Sequence, residues 1–384
     1  MSNYEPSITP TDLADMEDMI VDEKEANVFV ASQWKLMWWK FRRHKVAVVS
    51  TIIVILIYLV ALFPGFLAPF STETVRSEYP YAPPQRLHFF DEGRLAPHVF
   101  DYTVEIDPIA LRREFTIDET AKIPVGFFVQ GAPYKILGLI PSNTHLIGPK
   151  DPEQPMYLIG ADHLGRDLLS RLIYGTRISM SVGMVGVLLS LILGIFIGGV
   201  SGYYGGALDT FIQRAMEFVR AMPTIPLWLG LAAALPKDWN ALQVYFAITV
   251  ILSLIGWTAI ARVVRSRFLS LRSEEFVKAA KLDGASESRV IVRHMLPAFT
   301  SHLIASVTLA IPFMIISETA LSFLGVGLRP PIVSWGTLLQ NAQNVRAVAS
   351  APWLLLPALA VIISVLTMNF MGDGLRDAAD PYSR

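Results

Sequence analysis

The chain contains no cysteine, which excludes disulfides, thiolate metal sites and cysteine nucleophiles. It also contains no Gly-Lys pair. It therefore has no G-x-x-x-x-G-K-[ST] phosphate loop and lacks the backbone nest that holds nucleotide phosphates. The H-E-x-x-H and G-x-S-x-G motifs of zinc proteases and hydrolases are missing as well. These absences predict that the chain is not an enzyme and does not itself hydrolyse ATP.

Charge is scarce. Only 17% of the 384 residues are charged, whereas 53% are hydrophobic. This balance is typical of membrane proteins rather than of soluble domains. The 32 basic and 33 acidic residues leave a net charge near zero, so no polyanionic partner such as a nucleic acid is indicated.

Long apolar runs are what the sequence does contain. The first, over residues 46–70, carries no charge at all, and as a helix it would exceed the roughly 30 Å hydrocarbon core of a bilayer. The run at 221–236 follows Arg214, Glu217 and Arg220, so its helix is expected to begin in water or in packed protein. Six membrane-spanning helices are predicted, at 46–70, 178–203, 221–236, 243–261, 301–327 and 352–371.

The distribution of basic residues predicts the orientation and the domain boundaries. Basic residues are concentrated just before the first span and again over 262–299, which indicates that both segments and both termini are cytoplasmic. The expected order is an acidic tail with a basic, tryptophan-rich interfacial segment (1–45), the first span (46–70), an external insertion (71–159), an amphipathic interfacial helix (160–177) and a core membrane domain (178–384).

The external segment 71–159 is too long to be a simple connection. It mixes prolines with aromatic and β-branched runs, so we predict a small insertion, irregular or partly β, between the first two spans. A cap that binds substrate or a receptor protein, and a passive insertion, are both compatible with this composition.

Segment 275–297 reads EFVKAAKLDGASESRVIVRHMLP. Ser273 can cap a helix with acidic residues in its first turn, and Gly284 stands where that helix should end. Ser286 can cap a second helix that runs toward Pro297. The segment is therefore predicted to form a helix, a glycine turn and a second helix in the cytoplasmic loop 262–299.

This spacing resembles the EAA loop of ABC importer permeases, an all-α family of the type I importer kind. In that family the segment is the coupling helix, which lies in a groove of the cytoplasmic ATPase and transmits its opening and closing. The residues of this chain on the EAA pattern are Glu275, Ala279, Ala280, Asp283, Gly284, Leu296 and Pro297.

Segment 160–177 reads GADHLGRDLLSRLIYGTR, and its leucines recur near helical spacing, which favours an amphipathic helix along the outer surface. An Asp162, His163, Asp167 metal site is disfavoured because the first two are adjacent and no third convergent ligand is evident. The segment resembles the signature before the second span of C-type subunits in oligopeptide and dipeptide importers, and segments 318–336 and 369–381 resemble the same subunits. The signature positions are Asp162, Gly165, Arg166, Asp167, Ser170, Arg171, Gly175 and Arg177.

Glu318 lies deep within an apolar run, where an unpaired carboxylate would cost several kcal/mol. It is expected to face protein or the transport pathway. A pathway-lining role and a structural hydrogen bond to a neighbouring helix both remain open, and the same two interpretations apply to Asn369.

The resemblance implies a transport function. The chain would form half of a pathway for di- or oligopeptides in the bacterial inner membrane, with a second related permease, two cytoplasmic ATPases and an external substrate-binding protein as partners and lipid around it. It would bind no cofactor or metal, because ATP and magnesium would be used by the ATPases. Relatives that carry nickel or sugar-containing compounds leave the substrate open. A secondary transporter would need paired intramembrane ions and broken helices near mid-membrane, and only Glu318 comes close.

Overall fold

The computed structural model describes residues 33–108 and 113–379. The acidic tail expected over the first part of 1–45 lies outside these residues, as does the end of the 369–381 motif. Fourteen α-helices are distinguished in the described part of the chain: α1 (Gln33–Arg43), α2 (Lys45–Leu62), α3 (Pro64–Leu67), α4 (Leu168–Tyr204), α5 (Gly206–Ala221), α6 (Thr224–Ala233), α7 (Ala241–Leu271), α8 (Glu275–Leu282), α9 (Glu287–Arg289), α10 (Leu296–Ala298), α11 (Thr300–Phe323), α12 (Trp335–Gln340), α13 (Val345–Ser350) and α14 (Leu356–Ala379).

Within the described ranges, five helices are long and apolar enough to cross a membrane: α2, α4, α7, α11, and α14 together with the short 3-10 turn before it. The third predicted span, 221–236, is replaced by the ten-residue helix α6, which is about 15 Å long. The amphipathic helix α5 precedes it, and Met222 and Pro223 leave the helical conformation between the two. Pro223 lacks the backbone N–H that a continuous helix would need. Because α4 and α7 run parallel, the chain returns between them through the two helices α5 and α6 and not through one long span.

Small residues allow the two longest helices to pack closely. Gly194, Gly198 and Gly202 lie one turn apart on α4 and face Ile260, Ala261 and Arg265 of α7. A Cβ built on Gly194 would lie 2.7 Å from the Ile260 side chain, closer than ordinary packing permits. The glycine stripe therefore fixes the close approach of α4 and α7, as small residues do between helices in membranes.

The two described ends of the chain lie on the same side of the bundle. Met37 and Phe41 of α1 pack against Ala378 and Ala379 at the end of α14. A cavity on this side is lined by Arg267, His302, Asp373, Arg376 and Asp377, and Arg267 belongs to loop 262–299. This common side agrees with the predicted topology, while the assignment of that side to the cytoplasm stays a prediction.

The insertion contains the predicted β structure. Its strands are β1 (His88–Asp91), β2 (Arg94–Ile106), β3 (Arg113–Ile136) and β4 (Ile140–Pro149), and they form an antiparallel sheet in the order β1-β2-β3-β4. The first half of β3 pairs with β2 and the second half with β4. The small hydrophobic core of the insertion contains Phe70, Val99, Ile123, Val125 and Met156.

The separate amphipathic helix expected over 160–177 is not formed. Residues 160–166 make turns held by Gly160 and Gly165, both at positive φ, and α4 then runs unbroken from Leu168 to Tyr204. Leu168, Leu169 and Leu172 belong to the first turns of this long helix, whereas Leu164 precedes it and is 41% exposed. The first turns pack against protein, because Leu168 is buried with Val333 and Leu338.

Candidate functional site

Residues 262–299, the proposed coupling loop, have the predicted order of helix, glycine turn and helix. The coupling helix α8 begins after Glu274, not after Ser273, and no side chain caps it. It ends at Gly284, which has φ +77°, a conformation that glycine adopts without steric cost. The N–H of Ala285 donates to the carbonyl of Ala280 at 3.1 Å, so the turn satisfies a carbonyl at the helix end.

The coupling helix has two distinct faces. Val277 and Ala280 are buried against Val290 and Phe299. On the other face, Leu282 is 88% exposed and Phe276 is 43% exposed. A leucine that is almost fully exposed forgoes about 1.5–3 kcal/mol of burial. Leu282 and Phe276, about 120° apart around the helix, are therefore two apolar side chains on its exposed side that this chain by itself leaves uncovered.

The structure divides the EAA-pattern residues between these faces. Ala280 is buried, and Leu296 is half-buried near the end of a π-helical turn, Val290–Met295. The two adjacent alanines do not form one small-residue face, because neighbouring helix positions are about 100° apart. The members on the exposed surface are Glu275, Ala279, Asp283, Gly284 and Pro297.

Two contacts tie the coupling loop to the end of α4. The hydroxyl of Tyr204 donates to the Glu287 carboxylate at 2.8 Å. The Lys281 ammonium lies 4.8 Å from the centre of the Tyr203 ring, within the range of a cation–π contact. The sequence analysis missed both tyrosines, although their position at the end of a predicted span is a place where polar aromatics are common.

An ion pair joins α5 to α7 beside the same loop. Arg265 donates from Nε and Nη2 to the two carboxylate oxygens of Asp209, each at 2.6 Å, and Ser201 and Gln213 also bond this carboxylate. The bidentate hydrogen bonds from Arg265 lower the pKa of Asp209 to about 2. Arg265 entered the sequence analysis only as part of the basic loop, since its partner lies 56 residues away.

The signature before α4 forms a buried polar cluster. Asp162 is fully buried, and its carboxylate lies 2.7 Å from Nη2 of Arg166 and 3.5 Å from Nε of Arg171. It also accepts the backbone N–H groups of Leu164 and Arg166. The cluster is surrounded by the protein, so it fixes the turn into α4 and presents no carboxylate to a ligand.

The remaining signature residues hold neighbouring backbone. Asp167 caps α4 by accepting the N–H and the hydroxyl of Ser170, at 2.8 and 2.6 Å, and burial raises the pKa of the Asp167 carboxyl to about 6. Arg177 donates to the carbonyls of Ala61 and Leu62 at the end of α2. In the segments that the structure describes, no group of three or more His, Asp or Glu side chains could hold a metal ion.

Gly165 is required by its surroundings. It has φ +71°, and an added Cβ would overlap the backbone carbonyl of Arg76. The hydroxyl of Tyr157 donates to the Gly165 carbonyl at 3.0 Å. This glycine lets the insertion and the start of α4 pack together.

Glu318 is held by hydroxyl groups. It is fully buried and accepts from Ser322 at 2.7 Å, Ser334 at 2.8 Å and Ser179 at 3.4 Å. These serines come from α11, the start of α12 and α4, so the carboxylate links three helices. The geometry supports the hydrogen-bonding interpretation. Asn369 is half-buried on α14 and is not among these partners.

A separate concave surface lies between α4, α7 and α11. It encloses about 450 Å³ and combines apolar residues with Arg220 and the hydroxyls of Ser190, Thr224, Thr258 and Ser306. Neither Glu318 nor Asn369 lines it. Sequence reasoning missed this surface, because single serines and threonines in apolar helices carry no distinctive spacing.

Comparisons with known proteins agree with these observations. Residues 190–384 match the family described as binding-protein-dependent transport system inner membrane component, and residues 32–84 match the N-terminal TM domain of oligopeptide transport permease C.

The chain is 34% identical to the oligopeptide transport system permease protein OppC of Bacillus subtilis (strain 168), over 63% of this chain and 77% of the relative. It is 38% identical to the dipeptide transport system permease protein DppC of Alkalihalophilus pseudofirmus, over 58% of this chain and 71% of the relative. A solved structure titled as an inward-facing MetNI methionine ABC transporter aligns with a TM-score of 0.45 at 15% identity, covering 56% of this chain and 98% of the solved one. The chain therefore belongs to the binding-protein-dependent transport system inner membrane components, as a C-type permease subunit of the oligopeptide and dipeptide ABC importer family.

Proposed function

We propose that this chain forms half of a transmembrane pathway through which an ATP-driven importer carries di- or oligopeptides across the bacterial inner membrane. Relatives named as oligopeptide and dipeptide permeases support the substrate class. The basic residues around the first span and in the coupling loop support a cytoplasmic position for that side of the bundle.

The outer face of the coupling helix carries the proposal. Leu282 and Phe276 are exposed on a short helix whose inner face is packed, and Glu275, Lys278 and Ala279 share its exposed side. Apolar and charged side chains exposed together suit a protein partner that buries the former and pairs with the latter. The occupant that we propose is a groove of the cytoplasmic ATPase.

The contacts of the coupling loop with α4 and α11 could transmit a movement of α8 to these two spans. Val277 and Ala280 press on Phe299 at the start of α11, and Lys281 and Glu287 contact the end of α4. A displacement of the helix by closing ATPases would therefore move the ends of two spans together. This is the kind of rigid-element shift by which importers alternate between inward- and outward-facing states.

The proposed partners follow from this division of labour. A second, related permease completes the pathway, two ATPases bind ATP and magnesium, and an external binding protein delivers substrate. This chain holds neither nucleotide nor metal in the proposal. We assign Glu318 a positioning role between helices, keep Asn369 as a candidate pathway side chain, and propose the hydroxyl-bearing surface around Ser190 and Thr258 as part of the wall.

Reconstitution of the complete system in liposomes tests the proposal. We expect uptake of labelled peptides that requires ATP, the binding protein and both permeases. Uptake driven by a proton gradient without the ATPases would contradict it and favour a secondary transporter.

The affinity profile of the cognate binding protein tests the substrate class separately. Peptide binding is expected. A receptor that binds nickel or a sugar-containing compound instead would overturn the peptide assignment and leave the coupling assignment intact.

A further inference from the structure

The hairpin between β3 and β4 ends in an unusually apolar tip. We define the hairpin tip as residues 135–140, which read KILGLI. Leu139 is 80% exposed, Ile140 63% and Leu137 53%. Turn residues of a hairpin in water are normally Gly, Asn, Asp or Ser, so three exposed large aliphatic side chains at one tip need a physical explanation.

The backbone conformation at the tip makes this composition more unusual. Leu137 has φ +52° and Gly138 has φ +75°. The two are the central residues of a turn closed by the N–H of Leu139 and the carbonyl of Ile136, at 3.0 Å, and a turn with both central φ values positive favours Asn-Gly or Asp-Gly. A non-glycine residue in this region costs roughly 1 kcal/mol. Leucine is thus present at the tip although its backbone conformation disfavours it. We take this as an indication that the side chain makes a favourable contact outside the hairpin.

Three contacts show where the hairpin points. Moving along β4 toward the tip, Gly148 lies beside Pro69, then His145 Nδ1 lies 2.6 Å from the carbonyl of Ala68. Next, the ring of Tyr134, whose hydroxyl bonds the carbonyl of Thr144, covers Gly65. The residues that the hairpin contacts in turn are Pro69, Ala68 and Gly65, so the contacts move toward the end of α2. The hairpin therefore runs alongside this connector in the direction of the first span.

The depth of the tip follows from helix geometry. The first span, α2, has 18 residues, which gives a length of about 27 Å, slightly less than the roughly 30 Å of a hydrocarbon core. The hydrocarbon boundary on this side therefore lies near Gly65 and Tyr134. Two more residue pairs separate Tyr134 from the turn, an advance of about 7 Å at 3.3 Å per residue. The tip thus extends past the boundary.

The exposed face of the first span is itself apolar. The exposed residues of α2 form one stripe of aliphatic side chains at helical spacing, which is the face that a membrane span turns to lipid. Its members are Ile52, Ile55, Leu56, Leu59 and Leu62.

We propose that the hairpin tip inserts into the adjacent leaflet of the bilayer and anchors the insertion to lipid. Leu137, Leu139 and Ile140 contact acyl chains, while Tyr134 and Lys135 lie at the headgroup level, where aromatic and basic side chains are favoured. The inserted tip fixes the sheet against the end of the first span. The proposal requires only that the chain is a membrane protein and does not depend on its substrate.

Spin labelling tests the proposal directly, because the chain has no cysteine to remove. A nitroxide is attached to Leu139→Cys in the full chain, assembled with its transport partners in phosphatidylcholine nanodiscs. Ile117→Cys is the matched control, since Ile117 is 62% exposed and lies in the opposite half of the same strand. Relaxation of each label is measured with oxygen, which concentrates in lipid, and with a nickel chelate, which stays in water.

We expect the ratio of oxygen to nickel accessibility to be several-fold higher at position 139 than at position 117. Equal ratios at the two positions would place the tip in water and overturn the proposal. Protection of position 139 from both reagents would also overturn it, because the tip would then be covered by protein. Both outcomes leave peptide transport by the same assembly unchanged, so the proposed function is judged separately.

Discussion

The two ends of α4 contact the two motifs that distinguish this sequence, and the two motifs use their residues in opposite ways. At its start, the buried carboxylate of Asp162 pairs with Arg166 and Arg171. At its far end, the coupling loop is tied down by Tyr204 and presents Leu282 to the surroundings. Charged residues that are buried and paired hold the fold, whereas apolar residues that are exposed on a polar loop indicate a partner.

The largest effect should come from the buried motif. Asp162→Ala leaves two arginines without their carboxylate, and breaking a buried pair in this way costs about 3–5 kcal/mol. We expect loss of the folded subunit from the membrane, measured by fluorescence-detected size exclusion after solubilisation. Asp151→Ala, at an exposed loop position, is the control and should change little. Normal recovery of the Asp162 variant would show that the cluster is not structural.

A pH dependence should arise from the same motif. Because burial raises the pKa of Asp167 to about 6, above an unfolded value of about 3.9, the fold favours the protonated carboxyl. Its contribution is complete below about pH 4 and is lost as the pH rises through about 6, by about 2–3 kcal/mol.

Melting curves of the wild type and Asp167→Asn between these pH values measure this contribution. Asparagine keeps an acceptor for Ser170 and does not titrate, so the stability difference between the two proteins should change with pH. If the stability difference between the two proteins stays constant, Asp167 does not cause the pH dependence.

The exposed motif should affect coupling and not folding. Leu282→Asp places a charge in the proposed interface, and loss of a central apolar contact typically costs about 2 kcal/mol or more of binding, which weakens ATPase association roughly 30-fold. Peptide uptake and co-purification of the ATPases are the measurements. Ile117→Asp, on the equally apolar surface of the insertion, is the control. If both variants transport normally, the outer face of α8 is not the coupling surface.

The smallest effect is expected at the glycine of the coupling loop. A Cβ added by Gly284→Ala would meet no atom within 4 Å. The substitution should therefore lower the free energy of unfolding only because alanine disfavours the left-handed conformation, by about 1 kcal/mol. Gly165→Ala has a similar φ but would overlap the Arg76 carbonyl, so it should destabilise the subunit more. Comparison of the two melting temperatures checks this order, and equal values would contradict it.

A charge reversal, Glu275→Lys, and a bulky substitution, Gly284→Leu, further test whether the exposed motif affects coupling and not folding. Both positions are exposed, so membrane insertion should be retained while transport is uncoupled. Wild-type uptake together with wild-type ATPase recovery in both variants would exclude these residues from coupling.

Much of the architecture could be predicted because it depends on local composition. Apolar length predicted the long spans, and Gly284 predicted the end of the coupling helix. The third span was expected at full length because hydrophobicity alone does not show that Met222 and Pro223 interrupt the helix. The start of α4 was assigned to a surface helix because periodicity cannot distinguish packing against protein from packing against lipid.

The candidate site could be predicted only in part. Spacing identified Glu275 and Gly284 as members of one motif, since these residues are close along the chain. The partners of Asp209 and Glu318 lie 56 and up to 139 residues away, and long-range pairs leave no local pattern. Their roles could not be assigned before the helices were placed together.

The sequence by itself determined that this chain crosses a membrane and binds no nucleotide through a phosphate loop, and it identified the family to which the coupling motif belongs. These properties depend on composition and on residues adjacent in the chain. Only the tertiary structure decided that the signature before α4 faces inward and that the coupling helix faces outward. Burial depends on which elements pack against a residue, and elements that are distant along the chain leave no local pattern in the sequence.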